Sequence, residues 1–188
     1  MAFIRAKKRE PLGEAALFEY AVGALARKMR TVRDLRRLMR SRAEEGDAGE
    51  RAMDAVVARL IELKYLSDTR FAADFTRMRK ENEKYGRRRV QQDLMQKGVH
   101  RELVASTLEV AYEDVDEVAL ARQYIARKRM KQPGGENIQK ETARMMNRLL
   151  RAGFSSRTIF KVLREWNVEV EETDLEDSPD GTEPGAFE

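Results

Sequence analysis

Apolar residues recur at every third or fourth position along nearly the whole chain, the spacing that places them on one face of an α-helix. Leu17, Ala21, Ala24 and Leu25 form a first stripe, Leu35, Leu38 and Met39 a second, and Met53, Val56, Val57, Leu60 and Ile61 a third. Phe71, Phe75 and Met78 follow, then Val90 and Leu94, then Val104, Leu108 and Ala111. Val118, Ala121 and Ile125, then Met145, Leu149 and Leu150, then Ile159, Val162, Leu163 and Trp166 complete the series. Nine helices are expected. No segment alternates with period two, so the expected fold class is all-α, without a sheet. Only 4 Pro and 11 Gly occur in 188 residues, so little interrupts the helices.

The boundaries have local causes. Thr31 stands three residues before Asp34, the spacing of a capping box, and Asp47 stands likewise before Glu50. Gly98 and Gly153 follow helical stripes, where a left-handed residue ends a helix. Leu66 with Phe71, Val99 with Val104, and Phe154 with Ile159 share the spacing of a hydrophobic staple, which fixes the chain's entry into the next helix.

Two of these starts repeat each other. Gly98-Val99-His100 lies 55 residues before Gly153-Phe154-Ser155, and at that offset Val90 matches Met145, Leu94 matches Leu149, Val104 matches Ile159 and Leu108 matches Leu163. Leu35 and Met39 lie another 55 residues upstream of Val90 and Leu94. The helices therefore group in threes, over residues 14–66, 67–112 and 113–167, between a basic N-terminal arm (1–13) and an acidic tail (168–188) read as disordered. Triplets this small bury their faces by stacking on neighbours, so an elongated, curved array is expected. Such a body offers a long binding face and rarely a deep pocket.

Charge is distributed unevenly. The net +4 conceals a final segment, 169–188, with 9 acidic residues and no Lys or Arg; the remainder holds 37 basic against 24 acidic residues, a net +13. A body that basic attracts a polyanion or a protein surface bearing negative charge. The basic residues fall in three runs. Arg33, Arg36, Arg37 and Arg40 share one helical face, with Arg27, Lys28, Arg30 and Arg42 around them. Lys84, Tyr85, Arg87, Arg88 and Arg89, with Arg77, Arg79 and Lys80, make a second run; Arg127, Lys128 and Arg129, with Lys131, make a third. Each sits where the first helix of a triplet meets the second. An isolated charge run is ordinarily a solvated face, with ion pairs worth about 0–1 kcal/mol each. Three runs at equivalent places make a basic binding edge as good a reading. Tyr85 and Tyr124 are candidate aromatic anchors, with repeat packing the preferred role for Tyr124.

The parts of an enzyme are missing. His100 is the single histidine and there is no cysteine, so no His/Cys metal cluster and no disulfide can form; no cofactor is expected. There is no phosphate-binding G-x-x-x-x-G-K-S/T loop, and Gly134-Gly135 reads as a linker. No paired carboxylates lie on an otherwise apolar face. Residues 91–111 could pass for a helix-turn-helix, but the second helix offers only Arg101 to a nucleic acid, beside Glu102 and Glu109. No apolar run is long enough to span a bilayer, and the basic start MAFIRAKKRE lacks a secretory apolar stretch, so a cytoplasmic protein without membrane contact is expected.

The string Tyr65-Leu66-Ser67-Asp68-Thr69-Arg70-Phe71-Ala72 resembles the YLxDxRFA signature of the RecX regulatory proteins. The stretch from Gly86 through Arg89, Val90, Leu94 and Lys97 to Gly98-Val99 resembles that family's G-x-x-R-I/V-x-x-x-L-x-x-K-G-I/V motif. The resemblance runs from about residue 15 to 167 and leaves out the basic start and the acidic end. It implies three tandem three-helix repeats that dock in the groove of RecA filaments on DNA. It also implies inhibition of recombinase, ATPase and co-protease activity, and so modulation of DNA repair and the SOS response. Much of the signature has a structural reason: Leu66 and Phe71 form the staple, Ser67 suits an N-cap, and Asp68 favours the positive helix end. The expected partner is the RecA filament, with DNA met through it or by weak non-specific contact, and the chain is expected to be a monomer. The alternative is a non-specific nucleic-acid-binding helical module that acts without RecA.

Overall fold

The computed structural model describes residues 10–166. Among them the chain forms nine α-helices and no strand: α1 (Glu14–Arg27), α2 (Val32–Arg40), α3 (Asp47–Glu62), α4 (Asp68–Glu81), α5 (Arg87–Gln96), α6 (Arg101–Tyr112), α7 (Glu117–Arg127), α8 (Ile138–Arg151) and α9 (Ser156–Arg164). A short 3-10 turn, Gly135–Asn137, precedes α8. The all-α class is as the periodicity requires. The expected disordered tail and most of the basic arm lie outside the described residues.

The helices form two compact units. One runs to Arg79 and includes Val90–Glu113; the other joins Lys80–Arg89 to the chain from Asp114 onward. In the first, α1, α2 and α3 pack on one another around Leu17, Ala21, Leu35, Met39, Met53, Val56 and Leu60. Phe71, Val90, Leu94, Val99, Val104 and Leu108 are buried in the same unit. In the second, α9 packs on α7 and α8, with Ala121, Ile125, Met145, Leu149, Phe154, Ile159 and Leu163 buried. Each large aliphatic or aromatic side chain so buried contributes about 1.5–3 kcal/mol.

Several boundaries form as their residues dictate. The Thr31 hydroxyl accepts the Asp34 N–H at 3.1 Å and starts α2; the Ser67 hydroxyl accepts the Arg70 N–H at 3.2 Å and starts α4. Gly98 and Gly153 adopt φ of +79° and +89°, the left-handed conformation in which a side chain is strained. All six staple residues are buried.

Two details differ from the periodicity. α3 starts one residue early: Gly46, at φ +84°, takes the cap position and Asp47 is the first helical residue, so its carboxylate contributes charge at the helix start without a capping bond. Ile61 and Met78, placed on inward stripes, are 49% and 52% exposed. For α4 the cause is visible. Its inward face carries Phe71, Ala72 and Thr76, and Arg79 turns to the buried Asp93 of α5 at 3.3 Å. A face that includes a threonine and an arginine is rotated from the one that hydrophobicity alone selects.

Candidate partner-binding site

The basic runs border two joints, one in each unit, and the joints share a plan. In the first unit the α1–α2 linker meets the α5–α6 turn. The Thr31 hydroxyl donates to the Lys97 carbonyl at 2.7 Å, the Arg33 guanidinium donates to the Gln96 carbonyl, and Lys97 Nζ lies 3.6 Å from the Asp34 carboxylate. A Cβ on Gly98 would collide with the Arg33 side chain. In the second unit the α4–α5 linker meets the α8–α9 turn. The Gly86 N–H donates to the Ala152 carbonyl at 2.9 Å, and Gly86 and Gly153 approach so closely that a Cβ on Gly86 would overlap the Gly153 backbone. Thr31 and Lys97 precede Gly86 and Ala152 by 55 residues, as Gly98 precedes Gly153. The sequence period is thus a period of joints: one residue of a linker bonds the last carbonyl before a left-handed glycine, by hydroxyl in one unit and by amide in the other.

This plan sorts the candidate residues. Arg33 is spent on the first joint. Arg36 bonds Asp54 and Glu50 of α3, and these hydrogen bonds, that to Asp54 foremost, hold its guanidinium pKa above the usual value. Arg40 also pairs with Glu50, at 3.0 Å. Arg37 points outward at 82% side-chain exposure, with Asp34 at 3.8 Å. The α2 row therefore shares a helix but not a task.

In the second unit Arg89 lies over the Tyr85 ring at 5.8 Å, against Gly153. Tyr85 is half-buried, 6.0 Å from Tyr124, whose buried ring meets Phe154 edge-on at 5.7 Å. Tyr124 is packing, as preferred, and Tyr85 and Arg89 are largely packing too. Lys84 takes a left-handed φ of +58° and is half-buried. Lys128 and Arg127 reach Glu83 at 3.5 and 3.9 Å, which brings the second and third basic runs together within one unit. Arg87, Arg88 and Arg129 remain exposed.

Sequence reasoning passed over two features here. Arg144 and Arg148, one helical turn apart on α8, join Arg129 and Lys131 around an open cleft. Their i,i+4 spacing on one exposed face of α8, beside the Met145 and Leu149 stripe, was the available signal. Tyr65, inside the first signature string, is 60% exposed, so the staple accounts for its neighbours but not for it.

Among the described residues no three His, Cys, Asp or Glu side chains gather to hold a metal, and His100 is exposed at the start of α6. No helix is long and apolar enough to cross a membrane. What the molecule presents is a set of helical joints bordered by outward-facing arginines. The class so defined is an all-helical protein built on repeated helical joints.

Comparison with known proteins gives that class a family. Residues 67–108 match the model described as RecX, second three-helix domain, which covers α4, α5 and most of α6. The chain is 35% identical over 120 residues to regulatory protein RecX of Escherichia coli (strain SE11), spanning 61% of this chain and 70% of that protein. The same figures hold for regulatory protein RecX of Shigella dysenteriae serotype 1 (strain Sd197). The crystal structure of RecX from Lactobacillus salivarius shares the fold at a TM-score of 0.61 and 19% identity, over 82% of this chain and 96% of that one. The chain belongs to the RecX family, a family of regulatory proteins rather than enzymes.

Proposed function

We propose that the chain binds RecA filaments assembled on DNA and inhibits their recombinase, ATPase and co-protease activity, acting as a cytoplasmic monomer. In this reading it is built as three tandem three-helix units, 14–66, 67–112 and 113–167. The contact residues are Arg37 in the first unit and Arg87, Arg88 and Arg129 in the second, while Arg33, Arg36, Arg40, Lys84, Tyr85, Arg89, Arg127 and Lys128 hold the surrounding joints and helices in place.

One observation carries the proposal. The first turn of α5 holds Arg87, Arg88 and Arg89 and no acidic residue. Cations at a helix N-terminus oppose its dipole, at about 0.3–1 kcal/mol each. Arg89 recovers that cost through Tyr85, but Arg87 and Arg88 face solvent. Two exposed arginines placed against the helix dipole, beside a joint that fixes their backbone, suit recognition of an external anionic surface.

RecA-dependent ATP hydrolysis on single-stranded DNA tests the reading. A few copies of the protein per filament should suffice to inhibit, and Arg87→Glu/Arg88→Glu should weaken inhibition at least about tenfold, or roughly 1.4 kcal/mol, with helicity unchanged. Full inhibition by the double variant would remove these residues from the contact face. Inhibition only when the DNA is saturated would favour the nucleic-acid-binding module. A steep salt dependence would favour it too, since neutralising ~6–10 phosphates loses about 10³–10⁵ in affinity between 50 and 200 mM salt.

A further inference from the structure

The cleft between the α7–α8 linker and α8 has a volume of about 540 Å³ and is lined by Arg129, Lys131, Arg144 and Arg148, with Met130 and Met145 as its apolar part. All four cations are exposed, and among the described residues none is engaged in an ion pair. The one carboxylate in the cleft, Glu141, accepts the Gly134 N–H at 3.2 Å. Four cations facing one open space, with one carboxylate already occupied by a backbone amide, repel each other and favour an anionic occupant.

Chain continuity indicates which anion is nearest. Gln132, also in the cleft wall, donates from Nε2 to the carbonyl of Trp166 at 2.7 Å, and Trp166 is the last described residue. The chain therefore leaves α9 at the rim of the cleft. Beyond it Glu169, Glu171, Glu172, Asp174, Glu176 and Asp177 follow within eleven residues, with no Lys or Arg in 169–188. An extended chain covers about 3.3–3.6 Å per residue, so the first of these carboxylates reach the cleft without a long loop.

We propose that this cleft is the docking site of the chain's own acidic segment, residues 169–188, which competes there with external anions. The segment is tethered, so its effective concentration is on the order of millimolar, and weak charge pairing suffices to occupy the cleft. Salt weakens the contact, because exposed pairs are screened beyond about 8–10 Å at physiological ionic strength. The docking itself is independent of the filament reading; only its regulatory consequence rests on that reading.

The chain has no cysteine, so Ser178→Cys in the full-length protein accepts a single nitroxide label. At low salt the amide resonances of Gly134, Met145 and Arg148 should lose at least about half their intensity, and regain it near 0.5 M salt, where screening is nearly complete. Reducing the nitroxide with ascorbate should restore the lost intensity. Arg144→Glu/Arg148→Glu should abolish the broadening. Removing residues 169–188 should tighten binding of a 20-nucleotide oligothymidylate about tenfold at low salt, a gain that the double variant loses. Unbroadened cleft resonances, or broadening that survives the double variant, would overturn the docking. Unchanged oligothymidylate affinity on removing the segment would overturn the competition. Neither measurement contains RecA, so failure here is distinct from failure of the proposed function.

Discussion

The Gly86 amide and the Ala152 carbonyl oxygen lie 2.9 Å apart, and the Gly153 backbone that follows approaches so closely that no side chain fits at Gly86. Gly86→Ala should therefore destabilise the protein by about 1–3 kcal/mol, the cost of overpacking a site with no room to yield. Gly23, inside α1, has open space around its Cα, and Gly23→Ala should instead stabilise by about 0.4–1 kcal/mol. Urea unfolding of the two variants side by side gives opposite signs if the joint is rigid.

Thr31 does two things with one fully buried hydroxyl: it caps α2 and donates to Lys97 across the first joint. Thr31→Val keeps the volume and removes both bonds, and should cost about 1–3 kcal/mol. Thr31→Ser keeps both bonds and should recover most of that loss. A Thr31→Val variant as stable as wild type, beside a destabilised Thr31→Ser, would assign the role of Thr31 to its methyl group.

Asp68 accepts the Val32 N–H at 2.9 Å from the first turn of α4. Burial raises its pKa above the ordinary 3.8, and the Val32 hydrogen bond only partly opposes this. An acid whose pKa rises on folding favours the folded state most below its unfolded pKa, and that advantage fades as pH rises through the folded value. The stability difference between wild type and Asp68→Asn should therefore shift toward the variant as pH rises from 3.8, and then level off. Urea unfolding across the acid range reads this, and a difference that shifts the other way would contradict the stated cause.

Arg36 and Arg37 are sequence neighbours with different surroundings. Arg36→Ala leaves Asp54 and Glu50 of α3 without it and should cost about 1 kcal/mol in lost pairing and packing. Arg37→Ala removes a solvated side chain and should stay within about 0.5 kcal/mol of wild type. Thermal melts distinguish the two.

The cap at Thr31, the left-handed glycines 98 and 153 and the buried staples were legible because each depends on residues a few positions apart. The errors have a common form. Asp47 matched the capping spacing, yet Gly46 at positive φ took the cap. Met78 matched the helical period, yet the α4 face turned toward the Arg79–Asp93 pair, which no hydrophobic pattern marks.

By itself the sequence determined the nine helices among the described residues, their class and a 55-residue period, because helical periodicity and turn chemistry are local. Only the tertiary structure decided which arginines are spent and which are free. An arginine's fate depends on carboxylates and carbonyls brought within reach from distant positions, as Gln96 is for Arg33 and Asp54 for Arg36. Charge alone does not record that proximity.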